Sequence, residues 1–339
     1  MAVNETNTVT SHNLLNYSGM LFCKGNTQTP FSTMIGGKSR LAKGWEFATS
    51  IDTEAKGGTE QPAISESASL TAPKADPVRR DQKTNVCQIF QETVSISYGK
   101  LSSQEQLSGL NVAGQEPNPA NEQDFQVAKA MQKIANNVEH TFLNGVYQLG
   151  THDDVAYKTR GILNAMVSCV MNGGGNGLTY WQVSKLLKMI ADTGAPTEGL
   201  VLMAPATQIL QFNADAAMNG LTIVGNSRNV NGISISSILT PFGTVGISAN
   251  ARMPEGTAMI FNPLLCAPVE LPVPVKGNFF LEPLGKKGAS NEHMIYGQLG
   301  LDYGAEWCHG KITGLSTEFD APDYQKKVYV AGGTITTTT

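Results

Sequence analysis

Charged residues are scarce in this sequence: Asp, Glu, Lys and Arg make up 15% of its 339 residues, against about 25% in an average soluble protein. Apolar residues stand at an ordinary 41%, so the shortfall is taken up by Gly, Ser, Thr, Asn and Gln. A surface poor in charge yet not apolar fits a protein whose exterior is covered by other protein. Neither sign is clustered. The net charge is −4, from 24 basic and 28 acidic residues, and residues 1–120, 121–270 and 271–339 each hold the two signs in near balance. Tight nucleic-acid binding draws on grouped Lys and Arg that neutralise phosphates, so a high-affinity nucleic-acid binder is excluded.

Other absences narrow the field further. The five cysteines, Cys23, Cys87, Cys169, Cys266 and Cys308, are odd in number and none are paired at zinc or redox spacing, which predicts free thiols in a reducing compartment. No apolar run approaches the roughly 18 residues of a membrane span, and Met1 to Ser11 is polar without a basic start, so neither a membrane partner nor a secretory signal is expected. The five histidines show no metal-ligand spacing, and Cys308 and His309, being adjacent, would point to opposite faces of a strand. Gly37-Lys38-Ser39 resembles the end of a phosphate-binding loop, but Ser32 stands where that motif needs glycine. Gly173 to Gly177 is led into by no strand of nucleotide-binding spacing and reads as a flexible linker, and His152-Asp153-Asp154 reads as a solvated loop. No nucleophile elbow is present, and no catalytic, cofactor or metal site is predicted.

What is present is an unusual order of elements. After a polar segment to residue 32 comes a long stretch, Phe31 to about Lys83, with one aromatic pair, Trp45 and Phe47, and a middle built of Gly, Glu, Ala, Ser, Thr and Pro. A patternless stretch of that length inside a compact domain signals a functional excursion. Order returns at Asn85 to Phe90, and Val94 and Ile96 alternate with polar residues as in a half-buried strand. The spacing of Phe125, Ala128, Met131, Ile134, Ala135, Val138 and Phe142 predicts an amphipathic helix over 121–143, about 34 Å long, with Asn144-Gly145 as a left-handed stop. Thr179 and Gln182 form a capping box before a helix that buries Val183, Leu186, Leu187 and Ile190, and Pro205 opens another through about Met218. Short strands around Leu200–Met203, Ile233, Val245 and Met259–Phe261, then at 278–284, 293–301 and 307–315, complete an α+β pattern with a mixed sheet flanked by helices.

The order of several short motifs resembles one known family. They are Trp45-Glu46; Arg79-Arg80 followed by Asn85-x-x-Gln88-Ile89-Phe90; Val94-Ser95-Ile96-Ser97; Glu139-x-x-x-Leu143-Asn144-Gly145; Arg160-Gly161-Ile162; Phe242-Gly243-Thr244-Val245; Arg252-Met253-Pro254-x-Gly256-Thr257; and Asn262-Pro263. Together, over about residues 30–317, the chain is similar to the major capsid proteins of tailed double-stranded DNA phages that share the Hong Kong 97 fold. The resemblance implies an N-arm at 1–32, an extended E-loop at 33–97, a peripheral domain at 98–154 holding the spine helix, an axial domain at 155–268, peripheral return strands at 269–317 and a tail at 318–339. It implies inter-subunit contacts at Trp45, Phe47, Arg79, Arg80 and Lys83, and a hinge at Gly36, Gly37 and Gly44. The implied function is self-assembly as hexamers and pentamers into an icosahedral shell, made in the host bacterial cytoplasm, without cofactor or catalysis. The implied partners are copies of the chain itself, a portal protein, separate scaffolding and decoration proteins, and packaged double-stranded DNA held weakly and without sequence specificity. An encapsulin-like nanocompartment, a tail or decoration protein, and an α/β hydrolase are the alternatives.

Overall fold

The computed structural model describes residues 29–53, 61–72, 74–75, 77–78, 80–98, 122–218, 224–231, 233–285, 288–318, 327–329 and 335–337. Its organising element is one helix, Glu122–Asn144, of 23 residues, a residue later at each end than the spacing predicts. Its buried stripe runs through Val127, Met131, Ile134, Val138 and Phe142. Phe125 was expected on that stripe but is 38% exposed, with the Lys129 ammonium 5.5 Å from its ring centroid. Ala128 is also exposed, and Val127 and Ala130 take the two places in the core. The helix ends at Asn144, yet Gly145 is not left-handed. Its requirement for glycine is steric: a Cβ there would meet the carbonyl oxygens of Thr159 at 2.4 Å and Thr141 at 2.5 Å.

A short helix, Pro30–Ile35, packs against the long one with every residue buried. Residues 30–32, within the expected N-arm of 1–32, belong to this helix, with Phe31 fully buried and its ring 5.1 Å from that of Phe261; residues 1–28 lie outside the described residues. Strand β1 (Arg40–Leu41) follows, then an antiparallel ribbon of β2 (Glu46–Thr53) and β3 (Arg80–Val86), whose register shifts between Ala48 and Ser50. Strand β4 (Gln88–Ser97) alternates as the sequence predicts, burying Phe90, Val94 and Ile96.

The middle of the chain supplies β5 (Val170–Asn172), β6 (Val201–Ala204), β7 (Val224–Val230), β8 (Ile233–Thr240), β9 (Gly243–Ala249) and β10 (Ala258–Phe261). Between them run the helices Tyr180–Asp192 and Ala206–Met218. The first carries the expected capping box, with Thr179 Oγ1 accepting from Gln182 N–H at 3.3 Å and Gln182 Oε1 accepting from Thr179 N–H at 3.1 Å. The glycines 173–177, expected to be a flexible linker, instead bond the sheet: Gly173 N–H donates to the Thr313 carbonyl at 2.7 Å and Gly175 N–H to that of Gly314 at 2.8 Å. The last part adds β11 (Ala267–Glu270), β12 (Phe280–Pro283), β13 (Ser290–Asp302) and β14 (Gly310–Thr313), and a terminal hairpin of β15 (Lys327–Tyr329) and β16 (Ile335–Thr337) lies within the predicted tail.

Two sheets result. The first is five-stranded: β13 is antiparallel to β4, β11 and β12, and β1 adds in parallel to β11. The second is seven-stranded and mixed, in the order β5-β14-β10-β6-β9-β8-β7. The residues 269–317, expected as peripheral return strands, do not all join the first sheet. Strands β12 and β13 lie there, but β14 pairs with β10 and β5, since Ile312 is fully buried beneath the Tyr180–Asp192 helix.

Strands β6 and β10 explain why their sequences read as unbroken apolar runs: both faces are covered. Val201, Met203, Met259 and Phe261 face one core, shared with the long helix, the Pro30–Ile35 helix and the first sheet. Leu202, Ala204, Ala258 and Ile260 face a second core under the Tyr180–Asp192 and Ala206–Met218 helices. The long helix thereby joins both sheets through one continuous body of apolar side chains.

Candidate assembly surface

The β2–β3 ribbon leaves the body and becomes exposed as it goes. Along β3, Val86 and Asn85 are fully buried while Arg80, Asp81 and Gln82 are exposed. Every residue from 61 to 72 is exposed, including Ile64 at 71% and Leu70 at 86%, and Val78 is 50% exposed. Among the described residues, these apolar side chains between the two strands of the ribbon are left uncovered. All three lie on the one excursion between β2 and β3.

Its base is fastened by the two aromatic residues. The Trp45 ring stacks on Tyr157 with centroids 4.9 Å apart and planes at 16°. Phe47 fills the space that a side chain on Gly300 of β13 would occupy, since a Cβ there would lie 2.6 Å from Phe47 Cε1 and 2.9 Å from the Val86 carbonyl. Both rings, expected at inter-subunit contacts, are engaged within the chain at the base of the ribbon. Gly300→Ala should force Phe47 out and cost about 1–3 kcal/mol. A lowered urea midpoint together with a changed tryptophan emission checks this, and an unchanged midpoint contradicts it. Of the basic candidates, Arg79 lies outside the described residues, Arg80 is exposed on the ribbon, and Lys83 pairs with Asp81 at 3.0 Å.

The hinge candidates precede this ribbon. Gly36 has an ordinary helical φ of −64°, and a Cβ on Gly44 would meet nothing within 4 Å, so backbone conformation at the first and space at the second do not call for glycine. Gly37 does pack closely: a Cβ would lie 3.2 Å from Asn231 Oδ1, and Asn231 in turn donates to the Thr33 carbonyl.

Sequence reasoning missed the group that anchors this whole region. Glu139, on the long helix, is fully buried and caps the Pro30–Ile35 helix from outside it. Its Oε1 accepts from Phe31 N–H at 2.8 Å and Asn250 Nδ2 at 2.6 Å; its Oε2 accepts from Ser32 N–H at 2.7 Å and from the Ser32 hydroxyl. The first N–H groups of any helix lack partners within it, and a carboxylate there also suits the helix dipole. Asn250 follows β9, so one carboxylate ties the Pro30–Ile35 helix, the long helix and the second sheet together. Burial pushes the Glu139 carboxyl above its ordinary value, opposed by these four donors.

A second buried polar group stands where the chain passes between the sheets. His309 Nε2 donates to the Tyr303 carbonyl at 2.7 Å, and its Nδ1 accepts from Asn262 N–H at 3.2 Å. That arrangement holds the ring neutral, and burial lowers its pKa to about 4. His152 and Asp153 are exposed in a turn closed by Val155 N–H on the His152 carbonyl at 3.0 Å. Among the described residues no group of three or more His, Cys, Asp or Glu is placed to hold a metal ion, and no helix is long and apolar enough to cross a membrane.

A projecting ribbon, a spine helix and two sheets of these orders set the frame for comparison. A family model described as the SU10 major capsid protein matches residues 4–316. The chain belongs to the SU10 major capsid protein family. Capsid proteins of this family are structural, so the chain is a phage virion component that associates with its own copies to form the shell. Solved structures share its fold at low identity. The SrpI encapsulin complex from Synechococcus elongatus PCC 7942 gives a TM-score of 0.58 at 10% identity, over 87% of this chain and 91% of that chain. The Mycobacterium phage Patience structure gives 0.57 at 9%, over 91% and 89%. The cyanophage A-1(L) capsid asymmetric unit gives 0.56 at 10%, over 92% and 99%. No curated protein matches. At these identities the likeness is one of fold, the Hong Kong 97 type expected from the motif order, and an encapsulin shares it as fully as phage capsids do. The family match is what assigns this chain to a phage capsid.

Proposed function

We propose that this major capsid protein assembles as hexamers and pentamers into an icosahedral shell around phage double-stranded DNA, in the cytoplasm of the host bacterium. The observation that carries the reading is the ribbon, fastened by Trp45 and Phe47 at its base and bare at Ile64, Leu70 and Val78. It serves as the E-loop, lying over an adjacent subunit, while residues before Thr29 serve as the arm. The seven-stranded sheet forms the axial part around each capsomer centre, and the long helix with the five-stranded sheet forms the periphery. Ring contacts of this kind are heterologous, and the same contact must serve five-fold and six-fold rings.

The portal, a separate scaffolding protein and decoration proteins are the further partners, and no catalytic step is assigned. With a net charge of −4 and no basic run, the inner face holds DNA weakly and without sequence preference. Negative-stain electron microscopy of the chain expressed alone and with its neighbouring genes tests this. Icosahedral shells, or isolated hexamers and pentamers, are expected; a monodisperse monomer under both conditions would overturn it. The encapsulin likeness supports a second reading, a protein-filled compartment, which the particle contents separate from the first.

A further inference from the structure

Val275 holds a backbone conformation that its side chain disfavours. The chain leaves β11 through Leu271 and Pro272 into a tight turn, in which Lys276 N–H donates to the Val273 carbonyl at 3.2 Å and Val273 N–H to the Gly277 carbonyl at 2.8 Å. Pro274 takes the second place of the turn and Val275 the third, at φ +71°. Proline followed by left-handed backbone is the pattern of a type II turn, whose third place belongs to Gly or Asn. For a β-branched residue such a φ is an outlier. Packing among the described residues does not compensate, since Val275 is 79% exposed.

The turn is nevertheless braced. Lys276 pairs with Glu282 and lies 5.2 Å from the Phe280 ring centroid, and Phe279 behind it is fully buried. Pro272 and Pro274 flank Val273, and residues 271–275 carry no charge. A rigid, uncharged, strained tip presents one apolar side chain to the outside. Strain that persists in a well-braced segment points to use of that segment.

We propose that Val275 is an assembly contact, inserting into an apolar site on a neighbouring copy of this chain, where its burial offsets the strain carried by the free subunit. This rests on the shell reading above. A copy of the chain is the partner that fits: the family is self-associating, and the tip offers no cation to nucleic acid or a lipid headgroup, the nearby Lys276 being paired with Glu282.

Two measurements test it. Val275→Asn, which suits left-handed backbone, should raise the melting temperature of unassembled subunits by about 2–4 °C while lowering shell yield several-fold. Val275→Ile, which keeps both the strain and the apolar surface, should assemble as the unmodified chain does. In a Cys23→Ser background, Val275→Cys should react quickly with a maleimide dye before assembly and be protected in shells. Background is low because Cys87, Cys169, Cys266 and Cys308 are buried, with burial pushing Cys87 up to about 12 and Cys308 up to about 11. Equal labelling of subunits and shells, protection only after a decoration protein is added, or full shell yield from Val275→Asn overturns the contact. Failure of the unmodified chain to form shells overturns the shell reading itself, and the contact with it.

Discussion

Replacing Glu139 by alanine is expected to destabilise the folded subunit by about 3–5 kcal/mol, since each buried donor left without a partner costs about 1–3 kcal/mol. The change strands the N–H groups of Phe31 and Ser32, the Ser32 hydroxyl and the Asn250 amide in a fully buried site, and leaves a void besides. Glutamine should cost less, about 1–3 kcal/mol. Its amide nitrogen fits best towards Ser32, whose hydroxyl turns to accept a bond, so only the Ser32 N–H loses its partner. The pH dependence has a definite sign. Burial raises the native carboxyl pKa, so the native state binds the proton more tightly than the unfolded chain, and the contribution of this group falls as the pH rises through the raised value. The deficit of Glu139→Gln should therefore be largest below the ordinary carboxylate range and narrow as the pH rises. Urea unfolding of both variants across that range measures it. Equal stability of Glu139→Ala and the unmodified chain would show that the four donors find other partners.

The position of Glu139 could have been read from the sequence, although its partners could not. It stands four residues after Ala135, three before Phe142 and four before Leu143, squarely on the apolar stripe of the long helix. A charge on a buried stripe has to find its partners in the interior. Those partners are two backbone N–H groups more than a hundred residues earlier and an amide more than a hundred later, and nothing in the local pattern fixes such distant meetings. The long helix and the two capped by Thr179 and Pro205 were legible because their signals are periodic and local. The ribbon was legible only as an absence of pattern. Its aromatic pair was visible, but the stacking of Trp45 on Tyr157 and the seating of Phe47 over Gly300 depend on which strands pair. For the same reason the partners of β14 were not legible: a strand of four residues with one apolar side chain, Ile312, carries no mark of which neighbour it will choose.

His309 shows the same limit and carries the second large effect. Its ring bridges a carbonyl just after β13 to an N–H just after β10, so it fastens together the two places where the chain leaves one sheet for the other. Both bonds need the neutral ring with its proton on Nε2; a second proton, on Nδ1, would face the Asn262 N–H. The native pKa of about 4 lies below the ordinary 6.5, so between these values the unfolded chain binds more protons than the native one, and stability rises with pH. The contribution is complete above about 6.5, is lost as the pH falls towards about 4, and is on the order of 3 kcal/mol. His309→Gln removes it. The variant should be less stable than the unmodified chain at pH 7, and the gap should close as the pH falls through this window. His293, whose pKa burial also lowers, is common to both chains and cancels in the difference. Parallel pH profiles for the two proteins would mean that the junction between the sheets does not depend on the neutral ring.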